Sequence, residues 1–301
     1  MNRAEHIKGD LLLLLTAMIW GSAFVAQKIG MDHIGPFMYT GIRFALGALV
    51  LTPVMLLLSR YRPPITNKDQ GPSLILAGIL AGVVLFSGSI LQQVGIIYTT
   101  AGKAGFITGL YVVIVPLLGL FWGFRPGLGG WAGAIVAVTG LYLLTVENSF
   151  NLSFGDSLVI MCAFMYALHV LIIGWLAPRV NVLRLAIIQF WVCSGLSLAI
   201  GVVVEEMTWA ALRGAAVPIL YGGVLSVGVG FTLQIVAQKK SPPTHAAIIF
   251  SLETVFALMA GLLILGETLT SRGWAGCALM LSGMLMAQLQ MQTGSHRNKG
   301  I

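Results

Sequence analysis

The sequence predicts an all-α polytopic membrane protein, with about ten transmembrane helices in two inverted five-helix repeats around a central cavity. Three observations predict it. The chain is made of long apolar blocks with almost no charge, its basic residues fall asymmetrically between those blocks, and its two halves resemble each other.

Composition comes first. Of 301 residues, 57% are hydrophobic and only 9% charged, with a mean hydropathy of +0.93. A soluble domain carries roughly 25% charged residues, so this chain could not cover a water-facing surface. A membrane helix needs about 20 mostly apolar residues. Ten such blocks occur, at 11–30, 37–58, 73–97, 103–123, 131–147, 157–176, 185–204, 215–238, 243–265 and 274–291. The links between them are too short for an inserted soluble domain. Arg3 and Lys8 ahead of Leu11 imitate a secretion signal. The apolar run nevertheless continues past Trp20 without a small-residue cleavage site and has a mid-chain counterpart, so it is read as the first helix. Cys162, Cys193 and Cys277 lie inside apolar blocks without metal-ligand spacing. They read as small core residues, and neither metal nor cofactor is expected.

Charge then orients the chain. With the N-terminus inside, Arg3, Lys8, Arg60, Arg62, Lys68, Arg125, Arg179, Arg184, Lys239, Lys240, Arg297 and Lys299 are cytoplasmic. The other face receives Lys28, Lys103, Arg213 and Arg272, and Arg43 stays within a helix. Twelve against four is a strong positive-inside bias. The net charge of +7 is therefore a topology signal and not a nucleic-acid footprint. It predicts a bacterial inner (cytoplasmic) membrane protein with both termini cytoplasmic.

The halves repeat. GDLLLLLTAMIW from Gly9 resembles GDSLVIMCAFMY from Gly155, and the same offset of 146 brings Arg43-Phe44 onto Gln189-Phe190. Residues 91–119 align without gaps on 233–261, with 8 identities in 29 positions, and Trp131-Ala132-Gly133 matches Trp274-Ala275-Gly276. The predicted repeats are 1–148 and 149–301. Each has five helices, an odd number, so the second must enter the bilayer from the opposite side. Inverted repeats are a recurring plan of secondary transporters, with the substrate near the midplane where the halves meet. The other reading is an ancient duplication in a membrane scaffold without cargo.

The chain resembles the EamA-type family of the drug/metabolite transporter superfamily. The likeness is carried by Trp20-Gly21, by Arg43-Phe44, by TTAGKAGFITGLYVVIVPLLG at 99–119 and by SLETVFALMAGLLILGETLT at 251–270. It covers nearly the whole chain. The resemblance implies ten helices in two inverted halves around a cavity, the fifth and tenth outside the cavity wall. It also implies movement of small polar metabolites, often outward. Thr254 stands where many relatives place proline, so a less kinked ninth helix is expected.

Ionisable residues within membrane helices are costly and usually face the protein interior or a cavity. Glu253 is the only carboxylate deep in a block, about 15 Å from its end at 1.5 Å per residue. There it reads either as a group that takes up and releases a proton or as a structural, hydrogen-bonded acid. His245, eight residues earlier, and its repeat equivalent Lys103 are candidate inner and outer gate residues, or else helix ends facing headgroups. Tyr111 is the repeat equivalent of Glu253. Arg43 cannot discharge itself by losing a proton, and needs a partner, a wet cavity or an anionic substrate. Trp20, with Gln27 on one helical stripe, corresponds to Tyr166, near His169. With Gln92, Gln93, Gln189 and Gln234 these describe a polar lumen, since hydrocarbon cannot satisfy an amide. Singly, each reads equally as helix-to-helix glue. Gly78–Gly82 and Gly129–Gly133 are small-xxx-small patterns for close helix packing.

These residues predict a carrier of small polar metabolites, an exporter of amino-acid-like anions or zwitterions with proton coupling, and not an enzyme. Lys28, Arg43 and Lys103 toward the outer half, against Gln189 and His245 in the inner half, supply the charge argument. The alternatives are a membrane-embedded enzyme or a non-transporting scaffold. No HExxH zinc motif or GxxxxGK[ST] phosphate loop is present. The expected partners are a small-molecule substrate and the lipid bilayer, without nucleic acid, in a monomer or homodimer.

Overall fold

A computed structural model describes residues 3–61, 72–122, 128–145, 153–239, 246 and 249–297. Helix falls in every one of the ten apolar blocks, and no strand occurs among the described residues. The first half comprises α1 (Arg3–Met31), α2 (Pro36–Tyr61), α3 (Pro72–Gly95), α4 (Ala101–Gly109), α5 (Tyr111–Gly119) and α6 (Leu128–Thr145). The second comprises α7 (Phe154–Leu176), α8 (Val182–Val204), the short α9 (Trp209–Gly214) and α10 (Ala216–Leu220), then α11 (Thr232–Gln238), α12 (Leu252–Ile264) and α13 (Ser271–Arg297). Seven stretches among the described residues are long and apolar enough to cross a bilayer, while Trp131–Leu144 and Leu252–Ile264 are shorter apolar helices. Large apolar side chains such as Leu57, Leu76, Val203 and Leu263 stand on the outside, where acyl chains and not water would meet them.

The halves interlock. α2 packs on α8, α3 on α7 and α8, α1 on α12, and α4 on α12. Repeat-equivalent residues meet one another, which puts a pseudo-twofold axis between them. The rings of Phe44 and Phe190 lie 5.9 Å apart, and Tyr111 Oη donates to Glu253 Oε2 at 3.2 Å. α6 and α13 pair mainly with each other, at the periphery. There a Cβ on Gly140 would lie 2.6 Å from Gly276 O, and one on Gly283 2.6 Å from Gly133 O. Those two contacts are repeat images of each other.

The ninth block departs from expectation. Although Thr254 stands in place of a proline, its helix breaks at Ser251, and α12 begins only at Leu252. Both the Thr254 hydroxyl (2.7 Å) and the Thr254 N–H (3.2 Å) bond to Ser251 O. That three-residue return, with hydroxyl back-bonding, diverts the backbone without a proline. The equivalent place in the first half breaks too, at Leu110 between α4 and α5. The eighth block is also irregular, because Tyr221–Phe231 winds as a π-helix between α10 and α11. Such winding is rare and frequent at functional sites.

Candidate substrate cavity

A cavity with roughly 490 Å³ of unfilled space lies between the halves, lined from α1, α2, α3, α5, α7, the π segment, α11 and α12. Trp20, Gln27, Arg43, Gln92, Tyr111, Tyr166, His169, Gln234 and Glu253 all line it.

Arg43 stands apart electrostatically. It is buried, 3% exposed, and its guanidinium carbon sits 5.4 Å from the Tyr39 ring centre and 5.3 Å from that of Phe44. Its Nε has no hydrogen-bond partner, and no carboxylate among the described residues pairs with it. Two aromatic faces attract the cation but leave its planar donor fork free for a carboxylate or phosphate.

Glu253 occupies the first turn of α12, held by Tyr111. A second polar chain runs beside it. Tyr166 Oη donates to Gln92 Oε1 at 3.3 Å, and Gln92 Nε2 donates to Thr108 Oγ1 at 3.2 Å. Gln27 Oε1 and Gln234 Oε1 are buried acceptors without partners. Unpaired acceptors in an apolar interior are unfavourable, so they leave donor-seeking positions on the wall. The apolar side is Trp20, 4.7 Å from Phe231 and 5.3 Å from Phe250 between ring centres. Its indole Nε1 donates to Ser226 O of the π segment at 3.2 Å.

Other residues expected at the site lie elsewhere. Gln189 is buried behind the wall with its Oε1 3.1 Å from His169 Nε2. Gln93 Nε2 donates to Gln27 O at 3.4 Å and so braces α3 against α1. Lys103 stands at one end of the bundle, its Nζ 2.9 Å from Asp156 Oδ2. Lys28 is also occupied, donating to the carbonyls of Ile96, Ile97 and Thr99. Of Lys28, Arg43 and Lys103, Arg43 alone lines the cavity, so its cationic character rests on that residue. His245 lies outside the described residues. Sequence reasoning did not single out Phe24, Val170, Ser226 or Phe231, which also line the cavity. Phe231 and Ser226 sit in the π segment, where a 3.6-residue period gives the wrong face. Phe24 and Val170 are indistinguishable from lipid-facing neighbours by residue type.

The sequence pattern of the EamA-like transporter family matches residues 7–146 and 153–288. An "Uncharacterized transporter" of Archaeoglobus fulgidus is 30% identical over 96% of this chain and 89% of its own. The transporter YoaV of Bacillus subtilis is 21% identical over 93% and 96%. A WAT1-related chloroplastic protein of Arabidopsis thaliana is 25% identical over 90% of this chain and 67% of its own. One crystal structure superposes with a TM-score of 0.70 at 17% identity, covering 95% of this chain and 98% of that one, which is a likeness of fold. With the family pattern matched in both halves, the chain belongs to the EamA-like transporter family.

Proposed function

We propose that this membrane transporter is a secondary carrier of the bacterial inner membrane, both termini cytoplasmic, that exports small anionic or zwitterionic metabolites of amino-acid type. The observation that carries the reading is Arg43, a buried guanidinium without a carboxylate partner in the cavity wall. A permanent charge in that setting is strongly unfavourable when alone, and a cargo carboxylate is the partner that completes it. Glu253 supports the zwitterionic form, because it places an acid in the same cavity for a cargo ammonium. It is also the group through which a proton gradient would act, by competing with that ammonium. Gln27 and Gln234 supply acceptors for further cargo N–H or O–H groups.

Counterflow in proteoliposomes tests this. Preloaded unlabelled amino acids should accelerate uptake of a labelled one by the wild type, and Arg43→Gln should remove the effect. Robust counterflow of a lipophilic cation, or unchanged anion counterflow in Arg43→Gln, would overturn the reading.

A further inference from the structure

We propose that the outward mouth of the cavity is shut by a latch of three acids, Glu205, Glu267 and Asp156, each reaching from the second repeat onto the first. The proposal rests on the carrier reading and orientation given above.

Glu205 ends α8 in extended backbone. Its Oε1 accepts from Phe37 N and its Oε2 from Met38 N, both at 2.8 Å. α2 begins at Pro36, which has no N–H, so these are the first two donors that helix offers. Glu267 treats α4 alike, Oε1 accepting from Ala101 N at 2.6 Å and Oε2 from Gly102 N at 2.9 Å. Thr100, the helix's own cap, reaches only the next donor, Lys103 N. Helix-start N–H groups have no intrahelical acceptor, and a carboxylate there also meets the positive end of the helix dipole.

Local sequence aims Glu267. Gly266 takes φ +64 just past α12, and the N–H groups of Leu265 and Glu267 both return to Gly261 O. That left-handed stop folds the carboxylate back over Gly261, where a Cβ would come within 2.3 Å of Oε2. Asp156 completes the set. It is fully buried in the first turn of α7, ion-paired to Lys103 and accepting from Thr99 Oγ1 at 3.0 Å.

All these contacts cross the repeat boundary at a single end of the bundle. The repeat offsets carry Glu205 to position 59 and Glu267 to positions 124–125, none of which is acidic, whereas Asp156 falls on Asp10, so the asymmetry rests on the two glutamates. Inverted halves with matching contacts would open to either side with equal ease. Among the described residues both glutamate caps of this kind lie at the same mouth, which biases the carrier toward its outward-closed form. Arg43 lies five residues beyond Met38 on the same helix, so the latch and the candidate anion site move together with α2.

The test uses the full-length chain with Cys162, Cys193 and Cys277 replaced by Ala and a reporter Gln27→Cys in the cavity. A membrane-impermeant maleimide is added outside right-side-out vesicles. Glu205→Ala and Glu267→Ala should each speed labelling roughly tenfold, the factor that about 1.4 kcal/mol of lost capping gives. Gly35→Ala should do the same with every charge retained, because its Cβ would lie 2.2 Å from Glu205 Cδ and unseat the carboxylate. Glu206→Ala, which removes the neighbouring exposed acid, should label at the wild-type rate. Unchanged labelling in all three latch variants, or acceleration only in inside-out vesicles, overturns the latch. Failed counterflow in the wild type would instead sink the carrier reading, independently of the labelling rates.

Discussion

Arg43 and Glu253 are the two ionisable side chains lining the cavity whose charge state matters most, and they differ in kind. The guanidinium keeps its charge at any working pH, whereas the carboxyl can exchange a proton. Arg43→Lys therefore separates charge from shape. A lysine keeps the cation but loses the planar fork and the stacking on Tyr39 and Phe44. Transport of an amino acid should fall on the order of tenfold, expressed mainly in KM, and a lysine variant with wild-type KM would show that charge alone suffices. Glu253→Gln keeps an acceptor for the Tyr111 hydroxyl but cannot titrate. Flux driven by an imposed pH gradient should vanish while counterflow persists. If the gradient still drives flux, Glu253 is structural.

At the level of elements, packing depends on a few close approaches and two irregular windings. α6 and α13 touch backbone to backbone, with a Cβ on Gly140 falling 2.5 Å from Met280 N. Because the obstacle is backbone and not a flexible side-chain tip, Gly140→Leu should force the helices apart. We expect a loss of about 1–3 kcal/mol, read as a lower thermal midpoint in detergent with cargo selectivity unchanged, since neither helix lines the cavity. The π segment behaves differently. Gly230→Ala would bring a Cβ 2.6 Å from Trp20 Nε1 and displace the indole from Ser226 O. That variant should alter cargo affinity with little effect on the thermal midpoint, the reverse of Gly140→Leu.

For the whole molecule, orientation and inverted symmetry decide what the cavity can do. The twelve-to-four distribution of basic residues predicts a cytoplasmic position for the chain after Ile301. A reporter fused there should be active only in its cytoplasmic form, and one inserted after Glu206 only in its periplasmic form. A periplasmic C-terminus would reverse the direction of export and place the latch on the inner face.

The sequence by itself determined the class and the plan. Apolar length fixes where helices can lie, because hydrocarbon tolerates no unpaired backbone, and the repeat at offsets of 142 to 146 relates the halves. Membership of the cavity by Trp20, Arg43, Tyr166 and Glu253 was also legible, since polar or ionisable groups in apolar blocks have few places to go. Only the tertiary structure decided which of them stand free and which are already paired. Nothing in their residue types separates Arg43, stacked but without an acid, from Lys103, which is taken by Asp156. Nor does anything separate Gln234 from Gln189, which His169 occupies. The break at Ser251 was hidden because Thr254 achieves by hydroxyl bonding what proline does by omission. The π winding shifted Phe231 and Ser226 onto the wall against the helical period. Which cations and amides are taken is decided by contacts between different helices, Lys103 of α4 with Asp156 of α7 and Gln189 of α8 with His169 of α7, and local pattern carries no record of them.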